Sequence, residues 1–332
     1  MPTSTGNSSA TPMPYTEHPP AGSITPTGSL AIWLLSDGKP GHEAQLQGLG
    51  QALSRRQPVE LTWINVADRR ASWAHLLRGR YPGLTTRDTP QLAIGAGHGT
   101  HRQLLTLARA SGCMSCVLMR PSLPLRWFDA AIIPRHDLPP RRRQVLVTEG
   151  VLNPIEPAQS TDSTRGLILL GGPSRHCHFP IDDVCARIEL LCGHFAKVQW
   201  TASTSRRTPD GMAAALKGRT VQNLQVTEHT DTPPGWVAQM LSCCSQAWIT
   251  EDSVSMVYEA LSAGLATGLI PLPAVRAGRL QRGVAYLYRD NRLNRLDQIL
   301  AGQSPQRPSQ PLQEAARAAD WLLQRLSDKV RA

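Results

Sequence analysis

The segment SDGKPGHE, residues 36–43, combines residue types that a plain connection between two elements does not require. His42 stands where a helix is predicted to begin, and its imidazole could act as a general base, with the carboxylate of Asp37 as the alternative. The segment also carries residues suited to close contact with polar ligand groups, namely Gly38, Lys39 and Gly41. The competing interpretation is a Gly/Pro turn that contains an incidental histidine.

A second segment, GAGHGTHRQ at residues 95–103, places His98 and His101 directly after an apolar run. Two histidines three residues apart could bind a metal ion, but no acidic or cysteine ligand stands nearby in the sequence. We therefore interpret this segment as a second loop that contacts a ligand, and we predict no metal site.

Two further loops carry groups that suit phosphate oxygens. GGPSRH, residues 171–176, follows an apolar run but lacks the complete G-x-G-x-x-G pattern and the P-loop ending. STSRRTP, residues 203–209, has two arginines that could clamp a phosphate through charge-assisted hydrogen bonds, although an exposed basic loop explains them equally well. The candidates in the two loops are Gly171, Gly172, Ser174, Arg206 and Arg207.

The segment TEDSVSMVYEA, residues 250–260, leads from the end of an apolar run into a helical pattern. Hydroxyls and free N–H groups in a first helical turn converge on a phosphate. Glu259 lies one turn beyond Ser255 on the same side, where its carboxylate could hold two ribose hydroxyls. Four consecutive polar residues exceed what helix capping needs, although a capped helix remains the alternative. The polar candidates at this turn are Thr250, Glu251, Asp252, Ser253 and Ser255.

Apolar runs and helical periodicity alternate along the chain in two series, which predicts an α/β protein with two Rossmann-like domains, each built on a parallel sheet. Ligands of such sheets bind beyond the carboxyl ends of the strands, where all of these segments stand. The predicted divisions are a disordered tail (1–29), a first Rossmann-like domain (30–152), a polar linker (153–165), a second Rossmann-like domain (166–311) and a C-terminal helix (312–332).

Seven motifs between residues 30 and 264 together resemble one family, the bacterial relatives of the plant elongated-mitochondria (mitochondrial fission) protein, whose members are described as candidate glycosyltransferases. The motifs are WLLSDGKPGHEAQ, GAGHGTH, VLMRPSLPLRWFDAAIIPRHD, VLVTEGVLN, LLGGPSRH, STSRRTP and ITEDSVSMVYEA. The resemblance implies a GT-B-like architecture, in which the second domain holds a nucleotide-sugar and the first holds an acceptor. It also implies site residues, with Gly38, Gly41 and His42 near the reaction centre and Ser253, Ser255 and Glu259 on the donor.

These observations predict a metal-independent GT-B-type glycosyltransferase that uses a nucleotide-sugar as substrate and no cofactor. No Asp-x-Asp triplet is present for a divalent ion, so helix N-termini and the two loop arginines would stabilise the diphosphate leaving group. A nucleotide-sugar epimerase would use the same architecture without an acceptor. A non-catalytic scaffold that keeps the fold for partner binding is the alternative from another class.

The net charge of +10 is concentrated in residues 30–150, which hold 16 Lys and Arg against 8 Asp and Glu. A basic first half suits an anionic membrane surface or a phosphorylated lipid acceptor. The low aromatic content and the lack of an RNA- or DNA-binding motif argue against nucleic acid. Seven cysteines, an odd number, predict no disulfide framework. We therefore predict a cytoplasmic protein that could associate peripherally with the inner face of the membrane.

Overall fold

The computed structural model describes residues 28–85, 88–275 and 278–331. Almost all of the predicted tail therefore lies outside the described residues. The strands within these ranges are β1 (Leu30–Ser36), β2 (Val59–Asn65), β3 (Leu92–Ala96), β4 (Met114–Leu118), β5 (Ala130–Pro134), β6 (Val145–Thr148), β7 (Asp162–Leu169), β8 (Gln199–Ser203), β9 (Leu224–Thr227), β10 (Cys244–Thr250), β11 (Ala266–Ile270) and β12 (Asn294–Arg295).

Helices alternate with these strands, as the sequence predicts. They are α1 (Pro40–Ser54), α2 (Trp73–Arg78), α3 (His101–Ser111), α4 (Ile181–His194), α5 (Met212–Lys217), α6 (Trp236–Cys243), α7 (Val254–Ala263), α8 (Arg279–Arg289), α9 (Leu296–Leu300) and α10 (Glu314–Arg331). None of the described helices is both long and apolar enough to cross a bilayer.

The strands form two six-stranded sheets in which all neighbours are parallel, which confirms the predicted α/β class. In the first sheet the order is β2-β1-β3-β4-β5-β6. The chain leaves β1 toward one edge, forms β2, and returns to place β3 on the other side of β1. The strand order therefore reverses between β1 and β3. In open α/β sheets the crevice at such a reversal, beyond the carboxyl ends of the strands, is where ligands bind.

The second sheet repeats this arrangement with the order β12-β11-β10-β7-β8-β9. Its strand order reverses between β7 and β10. The loop that begins at Gly171 and the turn that begins at Thr250 follow these two strands. Each sheet thus has one reversal point, and candidate site residues stand at both.

Both faces of each sheet are covered, which explains why most strands are continuous apolar runs. One face of the first sheet packs against α1 and also against α10, the last helix of the chain; Ile32, Leu46 and Leu322 are fully buried in the cluster formed there. The C-terminal helix therefore returns across the molecule to complete the core around the first sheet.

The carboxyl end of the first sheet contacts the second half of the chain. A single helical turn, Arg135–Asp137, follows β5. The ring of His136 stacks on that of Tyr258 in α7, with centroids 6.2 Å apart and an interplanar angle of 13°. The guanidinium of Arg135 lies 3.0 Å from the carboxylate of Asp290, just beyond α8. The carboxyl end of the first sheet consequently faces α7 and α8.

Candidate functional site

A histidine–aspartate pair occupies the reversal point of the first sheet. Nδ1 of His42, in the first turn of α1, lies 2.7 Å from a carboxylate oxygen of Asp37, which directly follows β1. Burial acts to raise the pKa of Asp37, but the hydrogen bond and charge of His42, aided by Lys39, bring that pKa below its usual value. Both side chains keep a small exposed fraction, 20% for His42 and 10% for Asp37. The pair is therefore fixed in place yet open to a ligand.

The second loop of the first domain leaves room for this pair. Gly97, directly after β3, has φ of +92°, a conformation that L side chains rarely adopt. A Cβ at this position would collide with the imidazole of His42 and the carboxylate of Asp37. The loops after β1 and β3 thus pack against each other at the point where the strand order reverses.

The local sequence explains how the first loop is held. The hydroxyl of Ser36 donates to the carboxylate of Glu43 at 2.9 Å and accepts from the N–H of Gly38 at 2.9 Å. Pro40 begins α1, where its missing N–H costs no helical hydrogen bond. The ammonium of Lys39 is exposed and lies 3.5 Å from the second carboxylate oxygen of Asp37.

The two histidines after β3 have different surroundings. His101 is buried; its Nδ1 lies 3.2 Å from the hydroxyl of Ser122, and its ring packs edge-on against Phe128. Burial, with a smaller effect of the neighbouring His98, lowers the pKa of His101 to about 4, so this imidazole is neutral near pH 7. His98 is exposed at the same edge. His98 is therefore the one of the two that is open to a ligand.

The described residues contain no group of three or more His, Cys, Asp or Glu side chains that could hold a metal ion. Cys113 and Cys116, whose spacing suits zinc, are both buried at β4. Burial raises the pKa of each thiol, which disfavours the thiolate form that binds metals. These cysteines are core residues.

A buried carboxylate organises the reversal point of the second sheet. Asp252 accepts from the N–H of Gly172 at 2.9 Å and from the hydroxyl of Thr250 at 2.8 Å. The same hydroxyl oxygen of Thr250 accepts from the N–H of Gly171 at 2.7 Å. A Cβ on Gly171 would collide with the carboxylate of Asp252. The glycine loop and the turn before α7 are therefore joined as one unit.

The arginine loop is attached to the same unit. The guanidinium of Arg207 lies 2.8 Å from the carboxylate of Asp252, and the hydroxyl of Thr208 donates to the carbonyl of Gly171 at 2.6 Å. Arg207 remains 47% exposed, whereas the side chain of Asp252 is fully buried. Arg206 is exposed and makes no ion pair within the described part of the chain. The two arginines thus border the loop, and one of them is partly neutralised by Asp252.

Helix α7 starts at this unit with an uncapped first turn. Ser253 is buried at the N-cap, and its hydroxyl makes no capping hydrogen bond. The first-turn N–H groups of an α-helix have no partners within the helix, so an uncapped turn can donate to an anion. Ser255 is exposed on that turn, Ser174 is half-buried in the glycine loop, and Glu251 lies at the turn, where it accepts weakly from the N–H of Leu272 at 3.4 Å.

Glu259 lies deeper on α7 and is half-buried. Its carboxylate makes no hydrogen bond or ion pair with any other residue that the structure describes. Burial raises its pKa to about 7, well above the usual value of 4.5. Desolvation disfavours the charged form of a carboxylate, so a desolvated carboxylate without a partner is costly unless a ligand supplies donors. These properties suit a residue that contacts a ligand, and the predicted contact of Glu259 with ribose hydroxyls stays a prediction.

Two polar side chains that the sequence pattern did not single out border this site: His176 in the glycine loop and Gln281 in α8. Residue Gly278 lies between them, so that a Cβ there would be 3.4 Å from Nδ1 of His176 and 3.7 Å from Oε1 of Gln281. The spacing of Leu280, Val284 and Leu287 could have predicted α8, and with it Gln281, but Gly283 interrupts the pattern.

Two facing parallel sheets, each with polar loops at its reversal point, define the architecture of the GT-B class. A solved structure from Listeria monocytogenes, described as a candidate UDP-N-acetylglucosamine 2-epimerase, superposes with a TM-score of 0.61 at 10% identity, covering 92% of this chain and 97% of that one. The Neisseria meningitidis UDP-GlcNAc 2-epimerase bound to UDP-GlcNAc gives 0.51 at 10% identity, covering 90% and 100%. At such low identity these likenesses show the fold alone.

Comparison of the sequence with family models shows the family to which this chain belongs. The model of the family described as mitochondrial fission ELM1 matches residues 40–326, which is most of the chain. The chain therefore belongs to the mitochondrial fission ELM1 family, and the resemblance drawn from its motifs is confirmed. No curated protein matched the chain.

Proposed function

We propose that this protein is a glycosyltransferase that moves a sugar from a nucleotide-sugar, held by the second domain, to an acceptor held by the first. The observation that carries the proposal is the pairing of two polar sites at the two reversal points, with the carboxyl end of the first sheet turned toward α7 and α8. Packing of the two cores does not require polar loops at both reversal points. In open α/β sheets, polar loops at these points bind ligands.

On the donor side, the uncapped first turn of α7 and the backbone of the glycine loop would bind the diphosphate. Arg206 and the exposed part of Arg207 would add positive charge as the diphosphate leaves, without a metal ion. Glu259 would accept hydrogen bonds from the ribose hydroxyls, which would supply the donors that its carboxylate lacks. In this arrangement Asp252 holds the loops and does not contact the substrate.

On the acceptor side, His42 would act as the general base. Because Asp37 accepts from Nδ1–H, the remaining ring nitrogen, Nε2, is the basic one. It would take the proton of an acceptor hydroxyl while the hydroxyl oxygen forms the new bond to the sugar and the nucleoside diphosphate leaves. Asp37 would orient the imidazole and stabilise its protonated form. His98 and Lys39 would line the acceptor side of the same crevice.

The acceptor would lie at an anionic membrane surface. Helix α2 has no buried residue, and its Trp73 and Leu77, one turn apart, are 47% and 78% exposed. The exposed Arg70, Arg78 and Arg80 flank them, and none of these arginines forms an ion pair with another described residue. An aromatic and an aliphatic side chain among basic groups suit the interface of an anionic bilayer.

Nucleotide binding tests the proposed function. We expect UDP or GDP, or their sugar conjugates, to raise the unfolding temperature of the wild-type protein, and Glu259→Ala to abolish that rise. Glu60→Ala, at an exposed position on β2, is the matched control and should keep it. No rise with any nucleotide would contradict the proposal and favour a scaffold. Conversion of the nucleotide-sugar without any acceptor would instead favour an epimerase.

Membrane association has its own test. We expect the protein to sediment with vesicles that contain phosphatidylserine and not with phosphatidylcholine alone. The double variant Trp73→Ala/Leu77→Ala should weaken sedimentation, whereas Leu190→Ala, at an exposed leucine of α4, should not. Equal sedimentation of both variants would show that α2 does not contact the membrane.

A further inference from the structure

Three buried polar atoms lie together at the start of α8 without partners. They are Nδ1 of His176 and both amide atoms of Gln281, and within the described residues none of them makes a hydrogen bond. The position of a Cβ on Gly278 would be within 4 Å of both side chains, so they border the same small space. Native proteins rarely leave buried polar atoms unpaired, and such a cluster calls for an explanation.

The hydrogen bonds around His176 decide which of its ring nitrogens carries the proton. Nε of Arg175 donates to Nε2 of His176 at 3.0 Å, so Nε2 is an acceptor and Nδ1 carries the hydrogen. The three unpaired atoms are therefore two donors, Nδ1–H of His176 and Nε2 of Gln281, and one acceptor, Oε1 of Gln281. Sugar hydroxyls, each of which both donates and accepts, match this set.

The loop that carries His176 is held in place by backbone hydrogen bonds. The N–H of Val275 donates to the carbonyl of His176 at 2.8 Å, and the N–H of His178 donates to the carbonyl of Pro273 at 3.0 Å. The hydroxyl of Ser174 accepts from the N–H of His176 at 3.1 Å. These bonds fix the backbone on both sides of His176, whereas Gln281 is positioned by helix α8.

The cluster lies where the glycine loop of the second domain approaches the first domain. His176 is two residues beyond Ser174 in the glycine loop, and Arg282, next to Gln281, reaches the carbonyl of His136 in the first domain at 3.5 Å. If the glycine loop binds the diphosphate, as proposed, a group bound by the cluster would lie next to the diphosphate, on the side of the first domain. In the proposed reaction the transferred sugar would lie on this side, because the acceptor would approach from the first domain.

We propose that Gln281 and His176 form the subsite that binds hydroxyl groups of the transferred sugar. The subsite rests on the proposed function, since it adds the sugar to a donor site that already holds the nucleoside diphosphate. An ordered water molecule that bridges the same atoms is the rival explanation.

Comparison of a nucleoside diphosphate with its sugar conjugate tests the subsite. Titration calorimetry would measure Kd for UDP, UDP-glucose, UDP-GlcNAc, GDP and GDP-mannose with the wild type and with Gln281→Ala. We expect Gln281→Ala to lower the affinity for the best-binding sugar conjugate by about tenfold. The affinity for the parent diphosphate should change by less than about twofold. Gln298→Ala, at an exposed glutamine of α9, should change neither.

Stability without ligand provides the second readout. Gln281→Met keeps the volume but removes the unpaired amide, so we expect a higher unfolding temperature in the absence of nucleotide together with weaker sugar binding. A lower unfolding temperature would show that the amide holds a structural water and would overturn the subsite.

The possible failures are distinguishable. If no nucleotide binds to the wild type, the proposed function fails and the subsite with it. If UDP or GDP binds, two results would overturn only the subsite. Gln281→Ala would either leave the affinity for the sugar conjugate unchanged or lower the affinities for diphosphate and conjugate equally.

Discussion

The carboxylate of Asp37 lies 2.7 Å from Nδ1 of His42, at the point where the strand order of the first sheet reverses. Burial raises the pKa of Asp37, but the hydrogen bond and charge of His42 more than offset this effect. We expect His42→Ala to raise the pKa of Asp37, measured from the pH dependence of its carboxyl carbon signal by NMR. Lys39→Ala should raise it less, because Lys39 is exposed and makes the smallest contribution.

The same pair predicts a pH effect on stability. A carboxyl group whose pKa is lowered in the folded state stabilises that state above its usual pKa and loses this contribution as pH falls. The free energy of unfolding of the wild type should therefore fall more steeply below about pH 4 than that of His42→Ala. Parallel curves in urea titrations at several pH values would contradict the pairing.

Gly97→Ala should disturb the first site directly. The new methyl group would collide with His42 and Asp37, and φ of +92° is unfavourable for alanine. We expect a loss of about 2–3 kcal/mol in the free energy of unfolding, together with loss of any transferase activity. Gly112→Ala is the matched control: its φ is also positive, at +74°, but no atom lies within 4 Å of the new methyl group. Its cost should be about 1 kcal/mol with activity retained.

Asp252→Ala should loosen the second site. The change leaves the N–H of Gly172 and the hydroxyl of Thr250 without their buried acceptor and removes the partner of Arg207. We expect a loss of about 2–4 kcal/mol in the free energy of unfolding, measured by urea denaturation. Asp210→Ala, at an exposed position just beyond the arginine loop, should change it by less than about 0.5 kcal/mol. Similar losses in the two variants would mean that Asp252 does not brace the loops.

Glu259→Gln should stabilise the ligand-free protein at alkaline pH. Burial raises the pKa of Glu259 to about 7 in the folded protein, against an ordinary value of 4.5. The folded state therefore binds this proton more tightly, and its stability falls as pH rises from about 4.5 through 7. Glutamine avoids that cost, so the variant should be more stable on the order of 2 kcal/mol at pH 8 and similar to the wild type at pH 4. Thermal unfolding at both pH values measures the difference, and a pH-independent difference would contradict it.

Gly150→Ala should separate the two domains. A Cβ at this position, just beyond β6, would collide with the ring of Tyr258 in α7. We expect a loss of about 1–3 kcal/mol in stability and a larger radius of gyration in small-angle X-ray scattering. Gly193→Ala in α4 has no atom within 4 Å of the new methyl group and should instead be neutral or slightly stabilising. An unchanged radius of gyration in both variants would show that Tyr258 can move aside without opening the interface.

Local patterns in the sequence determined the class of fold and the places where polar loops stand. Short apolar runs such as Leu92–Ala96 can be buried strands because both faces of a parallel sheet are covered, and each polar segment begins where a run ends. The seven sequence motifs were enough to identify the family. His42 and Glu259 were marked by type and position alone, since an imidazole at a helix start and a carboxylate inside an apolar helix are unusual in themselves.

The tertiary structure decided what each of these residues touches. The order of strands follows from long-range packing, so the reversal points between β1 and β3 and between β7 and β10 had no local signal. Asp252 and Glu259 are only seven residues apart, yet Asp252 turns inward to accept from a glycine loop 80 residues away. Glu259 pairs with no other residue that the structure describes. Helix α10 completes the core of the first domain from the far end of the chain. Periodicity is a property of neighbours in sequence, whereas contacts between distant segments depend on how whole elements fill space.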